Sequence, residues 1–561
     1  MSKHRPHSRT PSPIRPQRTL CNLAALAALG LLTLGEPVRA APAGTLLPAN
    51  TIPVLRPGRT PSGITVNAPT AYTAPNGQVG QSLRIDQAAA KAIVEWQQFN
   101  IGRGSKVEFV QPSATAAVLN RIFDADPSII QGQLKANGQV YLINQNGILF
   151  DRGSQIDVNT LIASTLNLSD DTFNNPQGLT AGGLSNPALF GGYDANGKTL
   201  PSIKTERIVI GGDAGGVLAS ATAPAIHAAK GGAVMLFAPL IDNQTGVITA
   251  PDGQVILAAG RRAYLQFSDT PDFQMRGMLV EVTADGDKDL NLSSLITNSG
   301  TISADRGNVT LAALAINQRG RISATSAMQA NGSIYLQARN NPTVSADFTD
   351  VQRGEALRQG TVTLSAGSVT ETPLDLSDTS TMRAADDYTA FRSRVWIDGA
   401  QIVHQGTITS HAGDIRLSAF DSQNLDAARL YLDSGSVIDA SGVWSDASNR
   451  SNLLTFKVTS NELKDSPDQK AGVLRGAIVT VDLRAGSSVL DLSGYRDNQA
   501  QSLLQKAAAA GVVTLKVGNA DSARPISHGS LIQRANSVVN VAGGGVRYLG
   551  STESTTKLVG A

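Results

Sequence analysis

LNRIFDADPSIIQGQLKANGQVYLINQNGILF, residues 119–150, alternates short β-branched runs with clusters of asparagine and glycine. Val140-Tyr141-Leu142-Ile143 has the composition of a buried strand, Asn144 to Gly147 supplies residues that tolerate φ > 0, and Ile148-Leu149-Phe150 begins the next run. The stretch predicts consecutive short strands joined by tight turns.

The same logic recurs downstream as a fixed template. Gly246-x-Ile248-x-Ala250-x-x-Gly253-x-Val255-x-Leu257-x-Ala259 superimposes without a gap on the windows from Gly300 to Ala313 and from Gly406 to Ala419. A fourth copy starts at Gly320 with Ile322 and Ala324, then resumes at Gly332, Ile334, Leu336 and Ala338 after five extra residues. Alternating apolar positions put one face of each strand inward, and the glycines mark corners. The 20-residue step from Gly300 to Gly320 suits one coil of a parallel β-helix. At about 4.8 Å per coil, roughly 15 to 20 coils after Gln81 predict a rod of about 80 to 100 Å. A β-sandwich with glycine-rich turns is the alternative, but it need not reproduce a ten-position template. The final residues, Thr556 to Ala561, lack capping character, so the rod is expected to continue beyond them.

Composition agrees. With 54 glycines, 4% aromatic and 16% charged residues, the chain lacks the large side chains that fill a globular core of 561 residues. A solenoid instead buries rows of Val, Ile, Leu and Ala between stacked turns.

Several motifs precede and overlap the quoted stretch in a fixed order. They are Trp96-Gln-Gln-Phe99-Asn100-Ile101-Gly102, Val107-Glu-Phe109-Val-Gln111-Pro112, Leu119-Asn120-Arg121-Ile122, Ile130-Gln-Gly132-Gln-Leu134-Lys-Ala-Asn137-Gly138, and Asn144-Gln145-Asn146-Gly147-Ile148 with Ala163-Ser164-Thr165 behind it. Together they resemble the amino-terminal secretion domain of the filamentous haemagglutinin family, the TpsA-type exoproteins of bacterial two-partner secretion. The resemblance runs from Asp86 to Phe173 and more loosely to Phe267. That family usually carries proline where this chain has Gln145, which predicts a looser turn, and its second asparagine-proline-asparagine-leucine motif has no good counterpart.

The resemblance implies an all-β fold, a right-handed parallel β-helix solenoid with an amino-terminal cap. It also implies a secreted or cell-surface passenger that leaves a Gram-negative cell through the Sec translocon, the periplasm and a TpsB-type outer-membrane β-barrel transporter. The expected secretion motif is Asn144, Gln145, Asn146, Gly147 and Ile148, with Asn120 and Arg121. An adhesin with host-cell or bacterial surface ligands is the expected passenger. A contact-dependent toxin carrier with its toxin domain further along, or a β-helical polysaccharide enzyme, is the alternative.

The expected domains are a signal peptide at 1–40, a leader or linker at 41–80, the secretion domain at 81–270, and β-helix repeats with loop excursions at 271–561. Lys3, Arg5, Arg9, Arg15 and Arg18 precede the apolar run Leu20 to Leu34, and Val38-Arg39-Ala40 offers a cleavage site, with Ala43 as the second choice. Removing 1–40, with six bases and one acid, takes the net charge from +2 to −3, so no attraction to nucleic acid is expected. Cys21 is the only cysteine and is lost with that segment, so no disulfide is expected in the mature chain. Residues 170–204 read as a loop excursion off the rod, and 501–510 as a short helix.

Chemistry-bearing strings are sparse. Gly192-Tyr-Asp-Ala-Asn-Gly197-Lys198-Thr199 matches the P-loop string, but Pro201 follows where a helix must begin, so a surface turn is favoured and no nucleotide is expected. Asp285-Gly-Asp287-Lys-Asp289 opens like a calcium loop yet lacks the EF-hand glycine and glutamate. His404 and His411 occupy two different corners of one coil, which argues against a shared metal. Asp433, Asp439, Asp482 and Asp491 are scattered, not grouped as a hydrolase groove requires. Trp96 and Phe99 read as core of the cap. No catalytic residue, cofactor or metal is expected.

Overall fold

Each template window folds into the corner between two sheets. Val247–Thr249 lies in one sheet, the chain turns through Ala250 to Gly253, Gln254–Ala259 lies in another, and Leu295–Asn298 opens the next coil in a third. The computed structural model describes residues 45–557 except 184–186, 192–206, 213–215, 219, 268–276, 284–293, 343–355, 390–391, 422–426, 458–464, 466, 473–474, 488–490, 519–528 and 551–553. The signal-peptide segment, the P-loop string and the acidic string at Asp285 therefore lie outside the described residues.

The template is exact in space as well as in sequence. Ile248, Ile302, Ile322, Thr370, Ile408 and Ile438 stand in register in one column. Val255, Val309, Ile334, Val395, Ile415 and Val513 form a second. Ile302, Val309, Leu311, Ile408, Ile415 and Leu417 all point into one continuous buried cluster, so the fold is the expected parallel β-helix. Inside it, a third column carries amides: Asn243 donates to Asn298 at 2.8 Å and Asn298 donates to Gln318 at 2.8 Å.

The rod is shorter than expected. Among the described residues the sheet containing Gln254–Ala259 holds 13 strands, of which Val54–Leu55 and Ala356–Gln359 run antiparallel, leaving 11 parallel rungs. At about 4.8 Å per rung the solenoid is on the order of 50 Å long. The difference lies in excursions: Asp414–Ala419 pairs directly with Val512–Val517, and most of the chain between them is spent off that sheet.

Residues 41–80, expected as leader or linker, instead carry strands. Val54–Leu55 pairs antiparallel with Gln98 and Trp96, Ile64–Val66 with Gln87 to Ile85, and Thr70–Thr73 with Ser82 to Val79. Their antiparallel pairing occupies the free edges of the first coil, the end that a parallel solenoid must close. Residues 166–183 and 187–190, which overlap the expected loop excursion at 170–204, also depart from expectation. They fold back onto the outer face of the rod, where Leu166, Leu168, Phe173, Leu179 and Leu189 pack on Tyr141, Ile162 and Phe237. The hairpin of Arg262–Phe267 and Met278–Thr283 completes this cover and pairs with Leu189–Phe190. The expected helix appears as Leu503–Lys506, with a capping box between Ser502 and Gln505.

Candidate functional site: an asparagine corner

Gln139–Ile143 and Ile148–Asp151 lie in different sheets, so the chain must turn sharply between them. Asn144 makes the turn. Its Oδ1 accepts from the Asn146 backbone N–H at 2.9 Å, and its carbonyl accepts from the Gly147 N–H at 3.1 Å. Gly147 takes φ +119°, where a side chain is strained, and a Cβ there would crowd the Arg207 carbonyl at 3.2 Å. At Gln145, where a looser turn was expected, the flanking Asn144 side chain bridges the turn to the Asn146 N–H.

The corner also ties coils together. Asn144 Nδ2 donates to the Asp126 carbonyl at 3.1 Å and to Ser128 Oγ at 3.0 Å in the preceding coil, while its backbone N–H donates to Ser164 in the next. Asn146 Nδ2 donates to the Asp124 carbonyl at 2.7 Å. Asn144, Gly147 and Ile148 are buried, whereas Gln145 and Asn146 are half-buried.

Asn120 works in the same way one sheet position earlier. It accepts from Trp96 Nε1 at 2.9 Å and donates to the Tyr141 carbonyl at 3.1 Å, so it joins three successive coils while 0% exposed. Arg121 faces outward and holds the cover segment, donating to the Leu168 carbonyl at 2.8 Å and to Asp170 at 2.7 Å. The seven motif residues thus divide into the corner at 144–148, one staple inside the rod and one clamp outside it. Their partners Asp124, Asp126, Ser128 and Asp170 carried no signal in the sequence; the bonds to Asp124 and Asp126 use backbone carbonyls, which any residue offers.

The remaining candidates are structural. Trp96 and Phe99 are buried in an edge-to-face pair with centroids 5.3 Å apart. His404 lies in the amide column between Leu364 and Leu432, with Nε2 3.1 Å from the Val437 carbonyl; burial pushes its imidazole down to about 4. His411 Nδ1 instead meets the Ser441 carbonyl at 3.2 Å. Asp482 and Asp491 are held below the usual carboxylate range by hydrogen bonds from Arg484 and Ser493. Burial pushes Asp433 and Asp439 up, and hydrogen bonds led by those of Gln405 and Ser441 outweigh it. None of the four has the raised pKa of a general acid.

The class these features define is a capped parallel β-helix whose motif asparagines tie successive coils together. Residues 61–198 match the TPS secretion domain family. A heme/hemopexin-binding protein of Haemophilus influenzae is 41% identical over 90 residues, 16% of this chain and 10% of that protein; a second of the same description is 42% identical over 86 residues, 15% and 9%. Each match thus spans about a tenth of the relative's length. The crystal structure of the HMW1 secretion domain from Haemophilus influenzae aligns with 87% of this chain and all of its own, at 18% identity and a TM-score of 0.47. The family match covers about a quarter of the chain, and within it residues 61–198 are similar to a TPS secretion domain.

Proposed function

We propose that this chain is a secreted, adhesin-like passenger, exported by Sec into the periplasm and then through a TpsB-type outer-membrane β-barrel that recognises its secretion domain in the unfolded state. The observation that carries the reading is the burial of Asn120 and Asn144. A transporter that read their side chains would have to meet them before the coils close. An extended chain offers its backbone N–H and C=O groups for strand addition to an exposed sheet edge, and the same asparagines then become staples as coils stack outside the cell. Folding on emergence would hinder return, since burial of each Val, Leu or Ile side chain contributes about 1.5–3 kcal/mol. The chain acts by docking and display; the purified processed form is expected to be inert toward nucleotides and polysaccharides.

The test is Asn146→Ile, which removes the bond to Asp124 at a half-buried position. Surface export should fall while signal-peptide processing continues. Normal amounts of the variant in culture medium would contradict the proposal.

A further inference from the structure

Trp444–Ser448 and Gly545–Leu549 form a two-stranded parallel ribbon with Trp444 opposite Gly545, Asp446 opposite Arg547 and Ser448 opposite Leu549. Strand alternation sends these pairs to one face and Ser445, Ala447, Val546 and Tyr548 to the other. Trp444 is consequently 76% exposed. The other two tryptophans, Trp96 and Trp396, are buried.

Exposure alone would mean little for a single apolar residue. The ring's placement adds more. A Cβ on Gly545 would come within 2.6, 2.9 and 3.1 Å of three carbons of the six-membered ring. Trp444 therefore lies over the bare backbone of the neighbouring strand, which any larger residue at 545 would obstruct. Two residues along, about 6.6 Å on, Arg547 Nε and NH2 donate to the two Asp446 carboxylate oxygens at 2.8 and 2.9 Å. The pair is neutral as a unit, yet both partners are exposed and keep further capacity to donate to and accept from hydroxyl groups.

We propose that Trp444, Asp446 and Arg547 form a binding subsite for a neutral hexopyranose unit of a surface glycan. The polarised C–H bonds of one sugar face meet the electron-rich face of the indole, and the hydroxyls at the ring's edge meet the Asp446–Arg547 pair. A flat ring beside a neutralised ion pair suits an uncharged polyhydroxylated ligand better than a polyanion, and the net charge of −3 after loss of residues 1–40 disfavours the latter further. On this face Trp444 and Leu549 are 76% and 52% exposed, which suits a sugar laid flat on the ring.

Because Trp444 is the exposed tryptophan, acrylamide quenching of the processed chain reports on this site. Methyl β-galactoside, methyl β-glucoside and methyl α-mannoside, added in the millimolar range, serve as probes. At least one should protect Trp444 from quenching. Trp444→Ala should abolish that response, Gly545→Val should weaken it by displacing the ring, and Arg547→Ala should weaken it without shifting the melting temperature. Absence of protection by all three sugars, or protection that survives Gly545→Val and Arg547→Ala together, would overturn the proposal. So would self-association that vanishes with Trp444→Ala while the sugars have no effect.

Discussion

Gly307 was recognisable from its place in the template, but the reason for it was not. The template glycines do not take positive φ; the left-handed residues are those just before the second glycine of each copy, Asp252, Arg306 and Ala412, at 52°, 54° and 55°. Gly307 is needed because a Cβ would stand 2.1 Å from the Gly253 carbonyl one coil away. Gly307→Ala should therefore cost about 1–3 kcal/mol as the coils are forced apart. Gly494→Ala, in the short helix Ser493–Asp497 with nothing within 4 Å of its Cβ, should be neutral or slightly stabilising. Urea denaturation of the two variants checks the contrast. His404 gives a pH prediction. Its folded pKa of about 4 lies below the unfolded value of 6.5, so the unfolded chain binds the extra proton. The stability is whole above pH 6.5, falls as pH drops toward 4 and is level below. The loss amounts to at most about 3 kcal/mol at 1.36 kcal/mol per pKa unit. His404→Leu, which matches Leu364 and Leu432 in its column, should remove that slope in melts taken across this range.

Elements were legible where their pairing partners obey one local period, and hidden where a substitution or a distant partner intervened. Ser368, Thr370 and Thr372 take the template places of glycine, isoleucine and alanine, and this buried hydroxyl-bearing corner concealed a coil. The cover over the secretion domain was read as loop because Leu189–Phe190 pairs with Arg262 and Ala263, more than 70 residues away, and no local pattern encodes that. The hairpin at 262–283 is held in turn by a buried ion pair between Glu281 and Arg339, with Arg339 Nε donating at 3.0 Å. Arg339→Ala would leave Glu281 buried without its cation, at an expected cost of about 3–5 kcal/mol. A fragment ending at residue 270 would cut the hairpin and expose Ala263 and Leu265. We predict that residues 41–342 fold cooperatively in thermal melts and that 41–270 aggregates or melts broadly.

At the scale of the whole molecule, one continuous core makes damage spread along the axis. Val309→Asp places a charge between the rungs of Val255 and Ile334, where it can neither be hydrated nor paired. Loss of proteolytic protection is expected to extend several coils on either side, as nearest-neighbour coupling requires. The repeat and the asparagine corner at 144–148 were legible in the sequence, while the number of coils could not be counted because the excursions obey no period. On the proposed function, the asparagine motif acts before the solenoid closes and its side chains are consumed as staples afterwards. The most direct test is binding of the partner transporter's periplasmic domains to residues 41–342 in two states: freshly diluted from urea and fully refolded. The account predicts binding to the unfolded chain that disappears as the coils form and is weakened by Asn146→Ile. Equal binding to the refolded fragment, with Asn120 and Asn144 buried, would contradict it.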